Sequence, residues 1–340
     1  MAGFQAVGGA QSRTKAFMIT RRQATGFLAA ALPTLTSRAF GATTWPDRPV
    51  HLVVTFIAGG ANDIVARIMG DRLGARLGQQ FVIENRAGAG GNVGVEYVVH
   101  QPPDGYTFLQ LSNAAAANMS LYPNLTFNPL TDLAPVAGVY EVPFVIVVSP
   151  DFPAKTMAEF ISYAKANPGL LNHGSGGVGS ISHIAAELFK MKTGASMTHV
   201  PYRGSPQVLS DLLGGRLQCA WDPLPTSLPY ILDGKLRAIA VTSVMRSPHL
   251  PDTPAVAETL VGYDATSITG TAAPKSVDPA IIDRLSAEIA RGLGEADVQT
   301  KIGSFGATPL RLSANQFGDL LRSEAKKWAE VIAFAHIKPI

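Results

Sequence analysis

The chain has 340 residues, 46% of them hydrophobic and 16% charged, an ordinary globular composition whose length suggests about two domains. Five of its 28 basic residues, Arg13, Lys15, Arg21, Arg22 and Arg38, fall in the first 42 positions, which hold no acid, so the rest carries 23 basic against 25 acidic residues. A basic footprint for nucleic acid is therefore missing from the body, and the single cysteine, Cys219, excludes an internal disulfide or a Cys-based metal cluster.

Residues 1–42 read as an export signal. The charged stretch Thr20–Arg22 precedes the apolar run Gly26–Leu32, and Ala39, Gly41 and Ala42 offer a small-residue cleavage site. The run is too short for a stable membrane anchor. The paired arginines are a twin-arginine feature, though the residues after them do not follow that motif. Met18 offers an alternative start. No other segment holds 18 uninterrupted apolar residues, so a soluble mature protein is expected.

Strands and helices then alternate. VHLVVTF (50–56) predicts a buried strand, and 63–77 a helix with Val65, Met69, Leu73 and Leu77 on one stripe and Gly78 as its stop. QFVIEN (80–85) and YTFLQL (106–111) predict strands flanking a glycine-rich loop at 88–94. VPFVIVVS (142–149) is the longest apolar strand-like run. A capping box, Thr156 with Glu159, opens a helix that ends before Pro168. LLNHG predicts a short strand, 180–193 a helix stopped by Gly194, and SMTHVPY another strand. A helix runs from Ser205 to Leu213, followed by strands RLQCAW and LRAIAV. Asp278-Pro279 and Ser313 with Gln316 open two closing helices; the last turns Phe317, Leu320, Leu321, Trp328 and Val331 inward.

This rhythm predicts an α/β fold with parallel-rich sheets. The length favours two lobes: 43–141 with 267–340, and 142–266. Strands at 141–149 and 266–274 are expected to cross between them.

Three segments share one design, a strand, a glycine-rich turn and a helix start: 54–67, 171–189 and 198–213. Glycine allows close backbone approach, and a helix N-terminus favours an anion. Such turns lie at the carboxyl ends of strands, where α/β proteins bind ligands. Within the second segment, Gly174, Gly176 and Gly179 match a dinucleotide fingerprint, but no acid closes the next strand. A phosphate P-loop lacks its Gly-Lys-Ser/Thr, and neither Ser175 nor Ser180 sits in a G-x-S-x-G elbow. His173, His183 and His199 lack tight metal-ligand spacing. A triad of Ser175 or Ser180 with His183 and Asp222 stays open. Ser180 reads as a helix N-cap. Asp63 is open to two readings, pure capping and ligand contact.

The chain resembles the tripartite tricarboxylate transporter substrate-binding proteins, the Bug or TctC family. The resemblance rests on AGGANDIVAR (58–67), LGQQFVIENRAGAGGNVG (77–94), PPDGYTFL (102–109), GSGGVGSISH (174–183), HVPYRGSPQVLSDLLGGR (199–216) and LPDTPAVAE (250–258). It implies a two-lobed, type II-like periplasmic binding protein, a monomer, that closes on a small organic acid (mono-, di-, tricarboxylate or aromatic) and delivers it to membrane permease subunits. It implies no enzyme activity, cofactor, metal or nucleic acid. The ligand-binding residues it implies are Ala58, Gly59, Gly60 and Asp63; Ser112 and Asn113; Ser175, Gly176, Ser180 and His183; Tyr202, Arg203 and Gly204; and Asp222. Arg203 could meet a second carboxylate or sit on the rim. A ligand-sensing role beside a membrane signalling protein is the alternative, and a serine-dependent hydrolase a more distant one.

The chain departs from the family pattern in two places. Ser267-Ile268-Thr269-Gly270 stands where Ser-Trp-Phe-Gly is frequent, which bears on the cleft rim or the hinge. Ile57 would add an apolar group beside the carboxylate site and suit a ligand with an apolar or aromatic body.

Overall fold

The computed structural model describes residues 45–338. The expected export signal and the Met18 start lie outside the described residues. None of the described helices is long and apolar enough to cross a membrane.

The first stretch of chain runs β1 (Val50–Val54), α1 (Ala61–Leu77), β2 (Phe81–Asn85), α2 (Asn92–Val99), β3 (Thr107–Ser112) and α3 (Ala114–Leu121). A long strand, β4 (Leu133–Val148), leads on to α4 (Met157–Ala166), β5 (Asn172–Ser175), α5 (Ile181–Thr193), β6 (Thr198–Pro201) and α6 (Ser205–Leu213). Then come β7 (Cys219–Pro223), α7 (Leu224–Leu232), β8 (Arg237–Val241) and the short α8 (Val256–Thr259). The chain closes with β9 (Thr266–Pro274), α9 (Pro279–Gly292), α10 (Ala296–Gly303), β10 (Thr308–Leu312) and α11 (Ala314–Phe334).

The strands follow the order β2-β1-β3-β9-β4-β7-β5-β6, with β10 and β8 also on β4. β1 pairs in parallel with β2 and β3, and β5 in parallel with β6 and β7. Every pair made by β4 or β9 is antiparallel. Two parallel triplets are thus joined through two antiparallel crossing strands. The first part of β4, Leu133 to Pro143, pairs with β9, and the rest, Phe144 to Val148, pairs with β7 and β8.

β4 begins nine residues before the run 142–149 that predicted it. Pro135, Gly138 and Pro143 disguise the first part, because proline removes a ladder donor and glycine weakens a strand. Register shifts between Pro135 and Ala137 and between Gly138 and Tyr140 absorb Pro135 and Gly138 as bulges, and Pro143 stays in register opposite Thr266. In the second part both faces are covered. Phe144, Ile146 and Val148 enter one core, and Val145 and Val147 another, which explains the unbroken apolar run.

The hydroxyl of Thr242 ties the crossing together. It accepts from the Phe144 N–H at 2.9 Å and donates to the Ala265 carbonyl at 2.7 Å. The last helix also spans the crossing: Phe317 and Leu321 pack with β3 and β9, whereas Trp328, Val331 and Ile332 pack with β4, α5 and β7. Ile268 is 3% exposed and packs with Phe317 and Leu321. The departure at this position therefore falls in the core rather than on the cleft rim.

Helix ends follow local chemistry. Thr156 with Glu159, and Ser313 with Gln316, form capping boxes. Gly78 and Gly194 terminate α1 and α5 in the left-handed conformation, where a side chain would be strained. α1 starts at Ala61, two residues before the predicted Asp63, with Gly60 as its N-cap.

Candidate functional site

A cavity of about 480 Å³ opens where the two parallel triplets meet. From the β1–α1 side it receives Phe56 and Asn62, and from the start of α3 it receives Ser112, Ala114 and Asn118. From the other side come Gly176, Val178, Gly179, Ser180 and Ser182, then Ser205, Asp222 and Pro223. Phe144 and Ser267, on the crossing strands, form part of the wall, as does Tyr122. The first turns of α1, α3, α5 and α6 therefore all reach this cavity. A helix start presents backbone N–H groups without partners inside the helix and the positive end of its dipole, although Ser112 takes the Ala114 N–H at the start of α3. The lining residues include no Lys, Arg or His, and Asp222 is their one acid.

Of the residues predicted as ligand contacts, Ser112, Gly176, Ser180 and Asp222 line the cavity. Ser112 Oγ accepts from the Ala114 N–H at 3.2 Å, so its own hydrogen is free to face the cavity. Ser180 caps α5 as expected: it accepts from the His183 N–H at 3.3 Å and donates to the Gly177 carbonyl at 2.7 Å. Asp222 is buried. Its Oδ1 accepts from the Ser205 hydroxyl, and its Oδ2 accepts from Thr226 and Ser227, both at 2.6 Å. Burial pushes the pKa of this carboxyl up, while the three hydroxyls work against that shift.

The remaining ten predicted contacts lie outside the cavity lining. Asp63 is buried and accepts from the Gly59 N–H at 2.9 Å and from Arg67 Nε at 3.0 Å. The Arg67 guanidinium holds its carboxyl below the ordinary range. Asp63 thus staples the turn Ala58-Gly59-Gly60 onto α1, and Gly59 needs its φ of 83° there. Asn113 uses both amide hydrogens internally, to the Thr266 carbonyl at 2.9 Å and Glu324 at 2.8 Å, and its Oδ1 accepts from the Ile268 N–H. It joins α3, β9 and α11 and has no donor left for a ligand. Ser175 is buried, with Oγ 2.6 Å from His199 Nε2 and within reach of Gly177. Tyr202 donates to Asp211 at 2.7 Å. Arg203 is exposed, and Gly204 caps α6 with φ of 150°. His183 lies beneath the loop.

Asn62 also lines the cavity and is not among the residues expected from the sequence. Its Oδ1 accepts from the Tyr140 hydroxyl and from Thr269 Oγ1, the latter at 3.2 Å. With the oxygen so engaged, the amide NH2 is the end left for the cavity. The signal was its place in the first turn after Gly59-Gly60, hidden by putting the helix start at Asp63. Asn118 is oriented the opposite way: both its hydrogens are spent, on the Gly90 carbonyl at 3.0 Å and Asn92 at 2.9 Å. Its oxygen remains as an acceptor. Ile57 is 73% exposed and does not line the cavity. The expected apolar contribution from this turn comes instead from Phe56.

The G-x-G-x-x-G pattern resolves into separate jobs. A Cβ at Gly174 would stand 2.6 Å from Leu217 and 2.8 Å from Val208, so this glycine serves packing of β5 on its neighbours. Gly176 lines the cavity, and Gly179 adopts φ of 75° ahead of α5. Among the described residues, no group of three or more His, Cys, Asp or Glu is placed to hold a metal ion.

The family model described as the tripartite tricarboxylate transporter family receptor matches residues 65–336. Protein BugT of Bordetella pertussis is 37% identical over 296 residues, covering 86% of this chain and 90% of that one. A solved structure from R. palustris, Rpa4515 with adipate, is 37% identical with a TM-score of 0.75, over 87% of this chain and 100% of the other. MatC from Rhodopseudomonas palustris with bound malate is 32% identical with a TM-score of 0.70, over 84% and 99%. The chain shares the two-lobed α/β fold of these structures, and it belongs to the tripartite tricarboxylate transporter receptor family.

Proposed function

We propose that this protein captures a small organic carboxylate in the cavity between its lobes, outside the cytoplasm, and delivers it to a tripartite tricarboxylate-type permease. Residues 1–42 are its export signal, 43–141 with 267–340 one lobe, and 142–266 the other. The observation that carries this reading is the cavity's chemistry. Four helix N-termini, the Asn62 amide and the Ser112 hydroxyl offer neutral donors to one space. Such donors hold an anion without burying a full countercharge. The apolar surfaces of Phe56, Leu121, Phe144 and Ile181 suit a short hydrocarbon body. Relatives that cover most of this chain were solved with adipate and with malate, which supports the same ligand class here.

Binding rather than catalysis fits the placement of the serines. Ser175 has a histidine partner in His199, but it is buried outside the cavity lining, with its Oγ also engaged by Gly177. Ser180 spends its hydrogen on a backbone carbonyl. A thermal-shift screen of mono-, di- and tricarboxylates and aromatic acids tests the reading, because a ligand that binds only the native state must raise the melting temperature. A panel in which no acid stabilises the purified protein contradicts it.

A further inference from the structure

We propose that His183 is a positioning residue for the ligand loop: its neutral imidazole, braced against His199, holds the turn Gly176–Ser180 in its ligand-receiving shape, and a proton on that ring releases the turn.

The turn lies between β5 and α5, and Gly176, Val178, Gly179 and Ser180 all face the cavity. Two bonds fix it to His183. The His183 backbone N–H donates to Ser180 Oγ, and the ring Nδ1 accepts from the Gly179 N–H at 3.1 Å. An accepting Nδ1 carries no hydrogen, so the neutral ring bears its proton on Nε2. Nε2 faces Glu187 Oε1 at 3.6 Å. Adding a proton at Nδ1 would set two N–H groups head to head, and the bond to Gly179 would be lost.

The surroundings oppose that proton. From β6, the His199 ring stacks on His183 at 3.7 Å between centroids and 12° between planes. From β5, His173 stacks on His199 at 5.1 Å. His173 is fully buried, and neither of its ring nitrogens has a hydrogen-bond partner; Glu187 lies 3.8 Å from its Nε2, too far for one. From α5 itself come Glu187 and Lys190, already paired at 2.9 Å. Glu187 is the one group here that favours a proton on the stack; its pairing with Lys190 weakens that pull, and burial of the rings outweighs it. From β7, Trp221 meets His173 edge-on and adds no charge.

Burial holds the His183 pKa down to about 4 and that of His199 to about 3. A ring freed to solvent titrates near 6.5, so opening the turn takes up a proton. The neutral clasp is complete above pH of about 6.5 and weakens as pH falls toward about 4. His183 thus acts on the ligand through the loop and not by touching it.

Nuclear magnetic resonance of the purified, ligand-free protein from pH 7.5 to 4.0 tests this directly. The expected result is an unprotonated His183 Nδ1 at pH 7.5, a ring midpoint well below 6, and a Gly179 amide signal that moves with that midpoint. In His183→Asn, whose Oδ1 can still accept from Gly179 but gains no proton, the Gly179 signal should lose that transition. A protonated Nδ1 at pH 7.5, a His183 midpoint between 6 and 7, or the same transition in His183→Asn would overturn the proposal.

A second arm rests on the carboxylate reading of the cavity and uses malate at pH 7.5. His183→Leu should weaken affinity about tenfold, equivalent to about 1.4 kcal/mol, with His183→Asn within about threefold of the parent. Unchanged affinity in His183→Leu overturns the proposal. Should the parent itself not bind malate, that ligand is lost to the functional reading, while the resonance titration still decides the role of His183. If His183→Leu does not fold, the asparagine variant and the titration decide.

Discussion

Asn62→Asp exchanges one NH2 group of the cavity wall for an oxygen and turns a donor into a negative charge. The fold should tolerate it, because the Tyr140 and Thr269 hydroxyls that donate to Asn62 Oδ1 can donate equally to an aspartate oxygen. A bound carboxylate loses one hydrogen bond of the charge-assisted kind, about 1.5–3 kcal/mol. It also gains a like charge; at a separation of about 4 Å and an effective dielectric constant of about 20, that repulsion is about 4 kcal/mol at most. Ligand shifts and solvent in an open cavity relieve part of both. The expected net loss is about 2–4 kcal/mol, or roughly 30- to 1000-fold in affinity. Titration calorimetry at pH 7.5 with the best-binding acid reads it, alongside the ligand-free melting temperature. An affinity within about threefold of the parent, with the fold intact, would refute the assignment of the Asn62 amide as a carboxylate donor.

Other variants probe the frame around the cavity. Glu141 on β4 is half-buried, and desolvation, aided by Asp264, raises its pKa to about 7. The folded state therefore favours the protonated acid, and stability falls as pH rises from about 4.5 through 7. Glu141→Gln should stabilise by about 1–3 kcal/mol at pH 8 and little at pH 5; denaturant unfolding yielding equal gains at both pH values would contradict this. Thr242→Val removes the hydroxyl shared by Phe144 and Ala265 at the crossing and should cost about 1–3 kcal/mol in the same assay. Gly174→Ala forces a methyl against Leu217 and Val208 and should cost about 1–3 kcal/mol; a neutral effect would mean the β5 packing is looser than described.

Much of this fold was legible because local chemistry set it. Gly78, Gly194, Thr156, Ser180 and Ser313 mark helix ends by capping, which depends on a few neighbouring atoms. The first part of β4 was not legible. Its prolines and Gly138 weaken any strand pattern, and only pairing with β9 and β10 compensates. Helix α3, an alanine run, carries no amphipathic stripe, since it is buried on most sides.

The site divides the same way. The glycine-rich turns marked three loops that border the cavity, because backbone approach has a sequence signature. Which side chain in each loop faces the cavity does not, since partners distant in sequence decide it. Asp63 was the more conspicuous residue, yet Arg67 and Gly59 claim it, whereas Tyr140 and Thr269 turn its neighbour Asn62 toward the cavity. Asn113 is likewise claimed by Thr266, Ile268 and Glu324, from the far end of the chain.

The most direct test of carboxylate capture is a crystal structure of protein purified without refolding and soaked in the acid that most raises its melting temperature. A carboxylate should appear between the lobes, within hydrogen-bond reach of the Asn62 amide or the N–H groups opening α3 or α5, directly or through one water. An acid bound anywhere else, or an empty cavity at saturating concentration, would contradict carboxylate capture.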